Sequence, residues 1–413
     1  MSMDRRAFLT TFCAGTAALS GCLSTFSSGR ADTPLPEVPE GSWTQHGADA
    51  ANTFASDVSA PSRGNLVWTS EAFTQWEPVI ADGTVYTTNF APSKEGSAIA
   101  LDAQDGSEQW RTTLGGKDSN GRVLVGGRFI VAHDSRLVAL DPQNGDIVWQ
   151  RSLAGLEPSG LGSSAELLAA DERSGTVIVP YSDGLKAFQA EDGQRRWETG
   201  EITGQLNTPA IYDGTVYTIG RVDGVDSLVA LALDDGTIRW TTALEDPSDG
   251  DPVATDQGVL VVDGNTLVVH DRETGDRRSE IELVSDELGS LTTIAADGGT
   301  AFVATYERGL FAVDIETGTT QWQYDDSAHD DSAFGVCVGI ETVISIVDKP
   351  ESVSSTYGKT VTAFDRETGD VRWNYALDGY HALTIRPILA DGAVFFATDS
   401  IGALAVLGDV PAE

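Results

Sequence analysis

The sequence predicts an all-β fold, an eight-bladed β-propeller of four-stranded antiparallel blades closed by pairing an N-terminal strand with the last blade. Three observations lead there. An apolar pair, Asp, three residues, Gly, three residues and Trp recur along the chain. Each copy follows a turn and a run of alternating apolar residues, the pattern of a half-buried strand. The spacing from Trp to Trp is 39 to 51 residues, enough for four short strands with their turns and too long for a β-helix coil.

Four copies are complete: ALDAQDGSEQW ending at Trp110, ALDPQNGDIVW at Trp149, AVDIETGTTQW at Trp322 and AFDRETGDVRW at Trp373. Three are degenerate. Gln189 and Ala232 replace Asp in the copies ending at Trp197 and Trp240, and Ser279 replaces the Trp that should follow Gly275. The seven repeat glycines, Gly106, Gly145, Gly193, Gly236, Gly275, Gly318 and Gly369, are expected to supply the positive φ of a strand-to-strand turn. The Asp side chain can bond the backbone N–H groups of that turn. Each Trp then stands on the last strand of its blade, where it can wedge against the next. Ser279 therefore predicts a less tightly docked fifth blade.

Seven copies leave residues 386–409 with three strands and no final hairpin. The missing outer strand has a candidate in NLVWTS, residues 65–70, carrying Trp68. Pairing the two chain ends closes the ring and removes its open edges. That makes eight blades, with seven as the alternative count.

Charge bears on habitat and partners. The 413 residues carry 26 Lys plus Arg against 63 Asp plus Glu, a formal net charge of −37. Such a surface disfavours nucleic acid and anionic lipid as direct partners. Only five of the basic residues are Lys, and this acidic, lysine-poor balance resembles a protein of a salt-loving organism. At 40% hydrophobic residues the chain has enough apolar content for a large core, and three cysteines exclude a disulfide scaffold.

The first residues read as an address. Arg5 and Arg6, followed by a short apolar stretch, resemble a twin-arginine export signal over residues 1–21. Leu19-Ser20-Gly21-Cys22 resembles a lipobox, in which Cys22 becomes the lipidated first residue of the mature chain. Residues 22–41 then read as a flexible tether, 42–409 as the propeller and 410–413 as a tail. Cys337, in an apolar run, is expected to be a buried strand residue.

The Ala-Leu-Asp-x-x-(Thr/Asp)-Gly-x-x-x-Trp copies resemble the pyrroloquinoline-quinone-type (PQQ-like) propeller repeat, over roughly residues 42–409. The opening SWTQHGADAANT, residues 42–53, resembles the lead-in segment of such chains. The family contains PQQ-dependent alcohol dehydrogenases and non-catalytic lipoproteins similar to BamB. The dehydrogenase branch implies PQQ and Ca²⁺ on the axis, roofed by a vicinal Cys–Cys pair that this sequence lacks. The reading is therefore a monomeric, membrane-anchored extracytoplasmic scaffold for unidentified extracytoplasmic or membrane proteins, with no cofactor expected. A solute- or polysaccharide-binding protein and a quinoprotein are the alternatives. A salt-loving host with this signal pattern implies an archaeon.

Segments leading into the innermost strands are expected near the axial channel. They nominate Trp76, Gln205, Asn207, Tyr380, His381 and Arg386 as a candidate binding surface. Arg386 could meet an anionic ligand or pair with a nearby Asp, the pairing being favoured. Asp325, Asp326, Asp330 and Asp331 are weak candidates for Ca²⁺ or Mg²⁺, with a solvated acidic loop as the simpler reading. No histidine spacing suits zinc.

Overall fold

The computed structural model describes residues 33–70, 77–89, 95–116, 119–133, 135–153, 168–181, 184–204, 207–247, 250–282, 291–305, 309–324, 333–348, 359–377, 386–397 and 403–411. The twin-arginine pair and Cys22 lie outside these residues. So do Trp76, Gln205, Tyr380, His381 and the four aspartates at 325–331.

Among the described residues every regular element is a strand, and the strands form eight four-stranded antiparallel sheets. Blade 1 spans residues 79–113, blade 2 119–152, blade 3 169–199 and blade 4 210–243. Blade 5 spans 253–282, blade 6 291–324 and blade 7 333–377. Blade 8 takes its three inner strands from 388–408, and its outermost strand is Asn65–Ser70, paired antiparallel with Leu404–Gly408. The propeller is thus closed by its own two ends.

Each blade is a meander, so its connections sort onto two faces. The turns from first to second and from third to fourth strand share one end of the ring, the turn face. The connections from second to third strand, and from each blade to the next, leave from the other, the crossover face.

Successive blades are joined by tryptophan. The Trp149 Nε1–H donates to the Ala190 carbonyl at 2.9 Å, in the turn of the following blade. Its ring covers Gly193 so closely that a Cβ there would fall 2.6 Å from Cε3. Gly193 has φ of 68°, a conformation that other residues rarely adopt. The same arrangement joins Trp68 to Ala103, Trp110 to Pro142, Trp197 to Leu233, Trp240 to Arg272, Trp322 to Arg366 and Trp373 to Pro61. The glycines follow suit: Trp197 covers Gly236 and Trp322 covers Gly369, and all seven repeat glycines have positive φ, as the turn requires. The repeat Asp holds the turn as its chemistry suggests: Asp271 Oδ1 accepts the Glu273 and Thr274 N–H groups at 2.9 and 3.0 Å.

The seam between blades 5 and 6 differs. Ser279 carries no ring, and Ile281, two residues on, packs on Gly318 instead, 3.3 Å from where a Cβ would stand. Ile281 is buried in an apolar cluster with Val269, Phe311 and Ile315. An aliphatic side chain covers the glycine turn of this seam, without the indole or its hydrogen bond.

Cys337 is fully buried on the innermost strand of blade 7, and burial pushes its thiol pKa well up. The last residues of the expected tether are not free chain. Leu35 is buried, its N–H donates to Gln104 O at 2.9 Å, and its side chain packs on Gly408. Burial of the Leu35 side chain, together with its backbone bonds to Gln104, seats this proline-rich stretch at the joint of blades 8 and 1.

Candidate functional site

The lead-in segment occupies the propeller axis. From Trp43 to Ser59 the backbone visits every blade in order. Trp43 exchanges N–H···O bonds with Ile80 in blade 1, both 2.8 Å, and Thr44 O accepts from Leu124 in blade 2. Gln45 acts as a false strand for blade 3: its amide donates to Ala170 O at 2.9 Å and accepts from Ala170 N at 2.7 Å. Ala50 O then accepts from Ile211 in blade 4, Ala51 O from Ala254 in blade 5 and Thr53 O from Ala296 in blade 6. Phe54 O accepts from Val338 in blade 7, and Ser59 O from Gly392 in the first turn of blade 8. Seven inner edges, which would otherwise face the channel unpaired, are bonded by this one strap.

Gly47 and Asn52 shape the strap. Gly47 has φ of 71° and sits so close to Asn52 that a Cβ would overlap its backbone. Asn52 Nδ2 donates to Thr208 O and Pro252 O at 3.1 and 3.2 Å, tying the bend to blades 4 and 5. Asp49 Oδ1 and Oδ2 accept from Ala51 N, Thr53 N and Thr53 Oγ1. Burial still raises the Asp49 pKa above its ordinary value, because desolvation outweighs these hydrogen bonds.

Above the strap lies a layer of charge. His46 is buried, with Nδ1 3.2 Å from Glu77 Oε2 and Nε2 2.8 Å from Asp251 Oδ2. Donation to both carboxylates at once requires the imidazolium form. Arg386 reaches in from blade 8: NH1 is 2.9 Å from His46 Nε2 and 3.8 Å from Asp251 Oδ2, and Nε is 3.6 Å from Glu77 Oε1. The Arg386 guanidinium also lies 5.7 Å from the Phe54 ring centre. Arg122 donates to the Glu77 carbonyl and, at 3.2 Å, to Thr88 Oγ1. Burial would raise the Asp251 pKa, but the His46 charge and hydrogen bond, Arg386 and the Thr208 N–H outweigh it and hold it below the usual range. Asn207 Nδ2 donates to Gly250 O at 2.5 Å beside this layer.

Of the sequence-nominated residues, Asn207 and Arg386 therefore stand at the axis. Arg386 is paired with Glu77 and Asp251 in this layer, its NH1 standing beside His46 Nε2. His46, Glu77, Arg122 and Asp251 were not singled out from sequence. A signal for two of them is present: several innermost strands open on a residue before proline, as in Glu77-Pro78, Thr208-Pro209, Asp251-Pro252 and Arg386-Pro387. Proline pushes the preceding residue toward extended backbone.

Two recesses border the layer. One is lined by His46, Glu77, Pro78, Val79 and Arg122. The other is lined by Phe54, Gly250, Asp251, Val262, Thr293, Ile294 and Arg386, and holds about 320 Å³ counted out into open solvent.

The profile of the family described as outer membrane protein assembly factor BamB matches residues 55–225 and 223–409. The chain belongs to this family. The BamB of Burkholderia pseudomallei is 23% identical over 389 residues, covering 90% of this chain and 80% of that protein. The BamB of Yersinia pestis is 24% identical over 266 residues, 59% of this chain and 65% of that one. A stretch of 163 residues is 28% identical to the serine/threonine-protein kinase AfsK of Streptomyces griseus, and covers only 20% of that protein. Among solved structures, BamB from Moraxella catarrhalis superposes with a TM-score of 0.58 at 17% identity, covering 83% of this chain and 97% of that one. The quinohemoprotein alcohol dehydrogenase from Comamonas testosteroni gives 0.65 at 15% identity, over 90% and 81%. At these identities the superpositions show a shared fold.

The described axial residues of this BamB-family chain do not fit a quinone. Both His46 nitrogens are engaged by Glu77 and Asp251, and Arg386, the cation that could meet a quinone carboxylate, lies against those same carboxylates. The strap and this layer occupy the axis itself. Among the described residues no group of three or more His, Cys, Asp or Glu could hold a metal ion.

Proposed function

We propose that this chain is a non-catalytic, extracytoplasmic propeller, exported by the twin-arginine route, lipid-anchored through Cys22 and acting as a protein-interaction scaffold. The observation that carries the reading is the closed axis. The strap bonds seven innermost strands and the first turn of the eighth blade, and the side chains above it are paired with one another. Among the described residues, the outer surface and the two faces of the ring are left to a partner. Membership of the BamB family supports protein partners, since its relatives are named as assembly factors. The outer-membrane part of that name is not carried over, because the charge balance and leader resemble those of a salt-loving archaeon.

The test uses the mature protein purified from membranes in molar salt. Photo-crosslinking from exposed positions on the outermost strands, such as Ile147 and Val371, should give discrete protein adducts. An absorption band of a bound quinone, with dye reduction by alcohols or sugars on adding PQQ and Ca²⁺, would overturn the reading in favour of a dehydrogenase.

A further inference from the structure

The path of the chain before the strap fixes which face of the ring meets the tether. Leu35 bonds Gln104 in the third turn of blade 1, and Gln104 Nε2 returns a bond to Leu35 O at 2.8 Å. Val38 lies against Gly83, in the first turn of the same blade. Glu40 O accepts from Asp391 N, in the first turn of blade 8, before Trp43 reaches the axis. All three turns belong to the turn face, so the N-terminal segment approaches from that side.

We infer that the turn face is the membrane-proximal face, and that the crossover face is presented away from the lipid. The inference rests on lipidation at Cys22. Eleven Cα-to-Cα steps, with ten residues between, lead from Cys22 to Thr33. Fully extended they reach about 40 Å, and as a flexible chain about 18 Å. The second strands of blades 4 and 5, eight and six residues long, span about 20–27 Å between the faces. A tether of ordinary extension therefore holds the turn face near the lipid and cannot easily bring the crossover face to it. The orientation needs no adhesion: the turn face carries the repeat aspartates, such as Asp141, Asp271 and Asp365, which an anionic lipid surface repels. The crossover face carries a hairpin of two eight-residue strands, Thr215–Val222 and Val225–Ala232 of blade 4, with Val225 exposed at its tip.

The experiment places one fluorophore at a time on the full-length lipidated protein, bound to vesicles of host lipid in molar salt. One site is Glu273→Cys, exposed in a turn-face loop of blade 5, and the other is Val225→Cys at the tip of the crossover hairpin. Buried Cys337 does not compete for the label. Transfer to an acceptor in the lipid headgroups should be more efficient from Glu273→Cys, the two sites differing in height by about 20 Å. Inserting twenty Gly/Ser residues between positions 32 and 33 should bring the two efficiencies together. Equal transfer in the native tether, or greater transfer from Val225→Cys, overturns the orientation. Flotation with vesicles is scored separately: if Cys22→Ala floats as well as the parent, the lipid-anchor reading falls and takes the orientation with it.

Discussion

Asp409 and Arg63 stand 346 residues apart in sequence, yet Asp409 Oδ1 accepts the Arg63 backbone N–H at 2.7 Å. Asp409 Oδ2 takes Ser62 N at 3.0 Å. This is the repeat turn assembled from two pieces: Asp409 plays the part of Asp102, and Pro61-Ser62-Arg63-Gly64 that of Ala103-Gln104-Asp105-Gly106. Trp373 confirms the match by donating to Pro61 O at 2.7 Å and covering Gly64. Asp409→Ala should cost about 1–2 kcal/mol and act on the ring as a whole. Hydrogen exchange should show protection lost along Asn65–Ser70 and Leu404–Gly408. The corresponding Asp141→Ala should loosen only its own covalently closed turn. Equal and local effects in both variants would contradict this account of closure.

Gln45 should matter more than an uncharged side chain usually does. It is buried, and its amide satisfies both the N–H and the carbonyl of Ala170. Gln45→Ala leaves two buried backbone groups of blade 3 unpaired, each costing about 1–3 kcal/mol. Chemical denaturation should register a loss in that range, with Gln45→Glu intermediate because it can still accept from Ala170 N. A change under about 0.5 kcal/mol, within the range of ordinary surface substitutions, would mean that the strap does not brace the blades.

Acid should weaken the axis. The folded pKa of Asp251 is depressed, so its contribution is present above the unfolded carboxylate value, about 3.9. It is lost as pH falls through the lower folded value. Asp49 works the other way, since burial raises its pKa and favours protonation. Asp251→Ala at neutral pH should cost about 3–5 kcal/mol, because the buried His46 would lose its 2.8 Å carboxylate partner. Thermal melts of Asp251→Asn and the parent should converge as pH is lowered. Parallel pH profiles would remove Asp251 from the acid response.

The ring was legible because its elements are set by local chemistry repeated many times. Asp, Gly and Trp at fixed spacing define a turn and a wedge whatever surrounds them, and the closing strand Asn65–Ser70 could be found from Trp68 alone. The split turn was harder to see: Asp409 and Gly64 each lack half of their motif, and only the closed ring unites them. The axial layer was less legible still. His46 sits in a segment without periodicity, and the charged groups around it come from blades 1, 5 and 8. Nothing local to Glu77 or Asp251 says that a histidine 31 or 205 residues away will face it. Leu35 was hidden for a different reason, as an isolated apolar residue without periodic neighbours inside a stretch with the composition of a linker.

Salt should stabilise this protein strongly. A formal charge of −37 repels itself, and raising ionic strength from about 0.1 M to about 1 M shortens the Debye length from about 10 Å to about 3 Å. The melting midpoint should climb steeply over that interval in KCl. Sucrose, which is excluded from the surface but screens nothing, should recover only a small part of the gain. A midpoint insensitive to KCl would show that the acidic surface is already balanced locally by pairs such as Arg111–Glu108 and Arg372–Asp365.

The seam between blades 5 and 6 offers the sharpest test of the tryptophan wedge. Where Trp is present, the residue two positions on also reaches the next glycine turn, as Thr112 does at Gly145 and Thr242 at Gly275. Ile281 holds that same position at Gly318, so the place of the indole is Ser279's to fill. Ser279→Trp should lay a ring on Gly318 and aim its N–H at Ile315 O, the counterpart of the Arg272 and Arg366 carbonyls that Trp240 and Trp322 use. The variant should gain about 1–2 kcal/mol, in the range of cavity-filling and consensus changes. The reverse change, Trp149→Ala, should lose about 3–5 kcal/mol. Gly193→Ala should also destabilise, since its Cβ would strike the Trp149 ring at a positive φ. If Ser279→Trp destabilises while Trp149→Ala behaves as stated, the aliphatic packing around Ile281 has taken over the seam and no room for an indole remains.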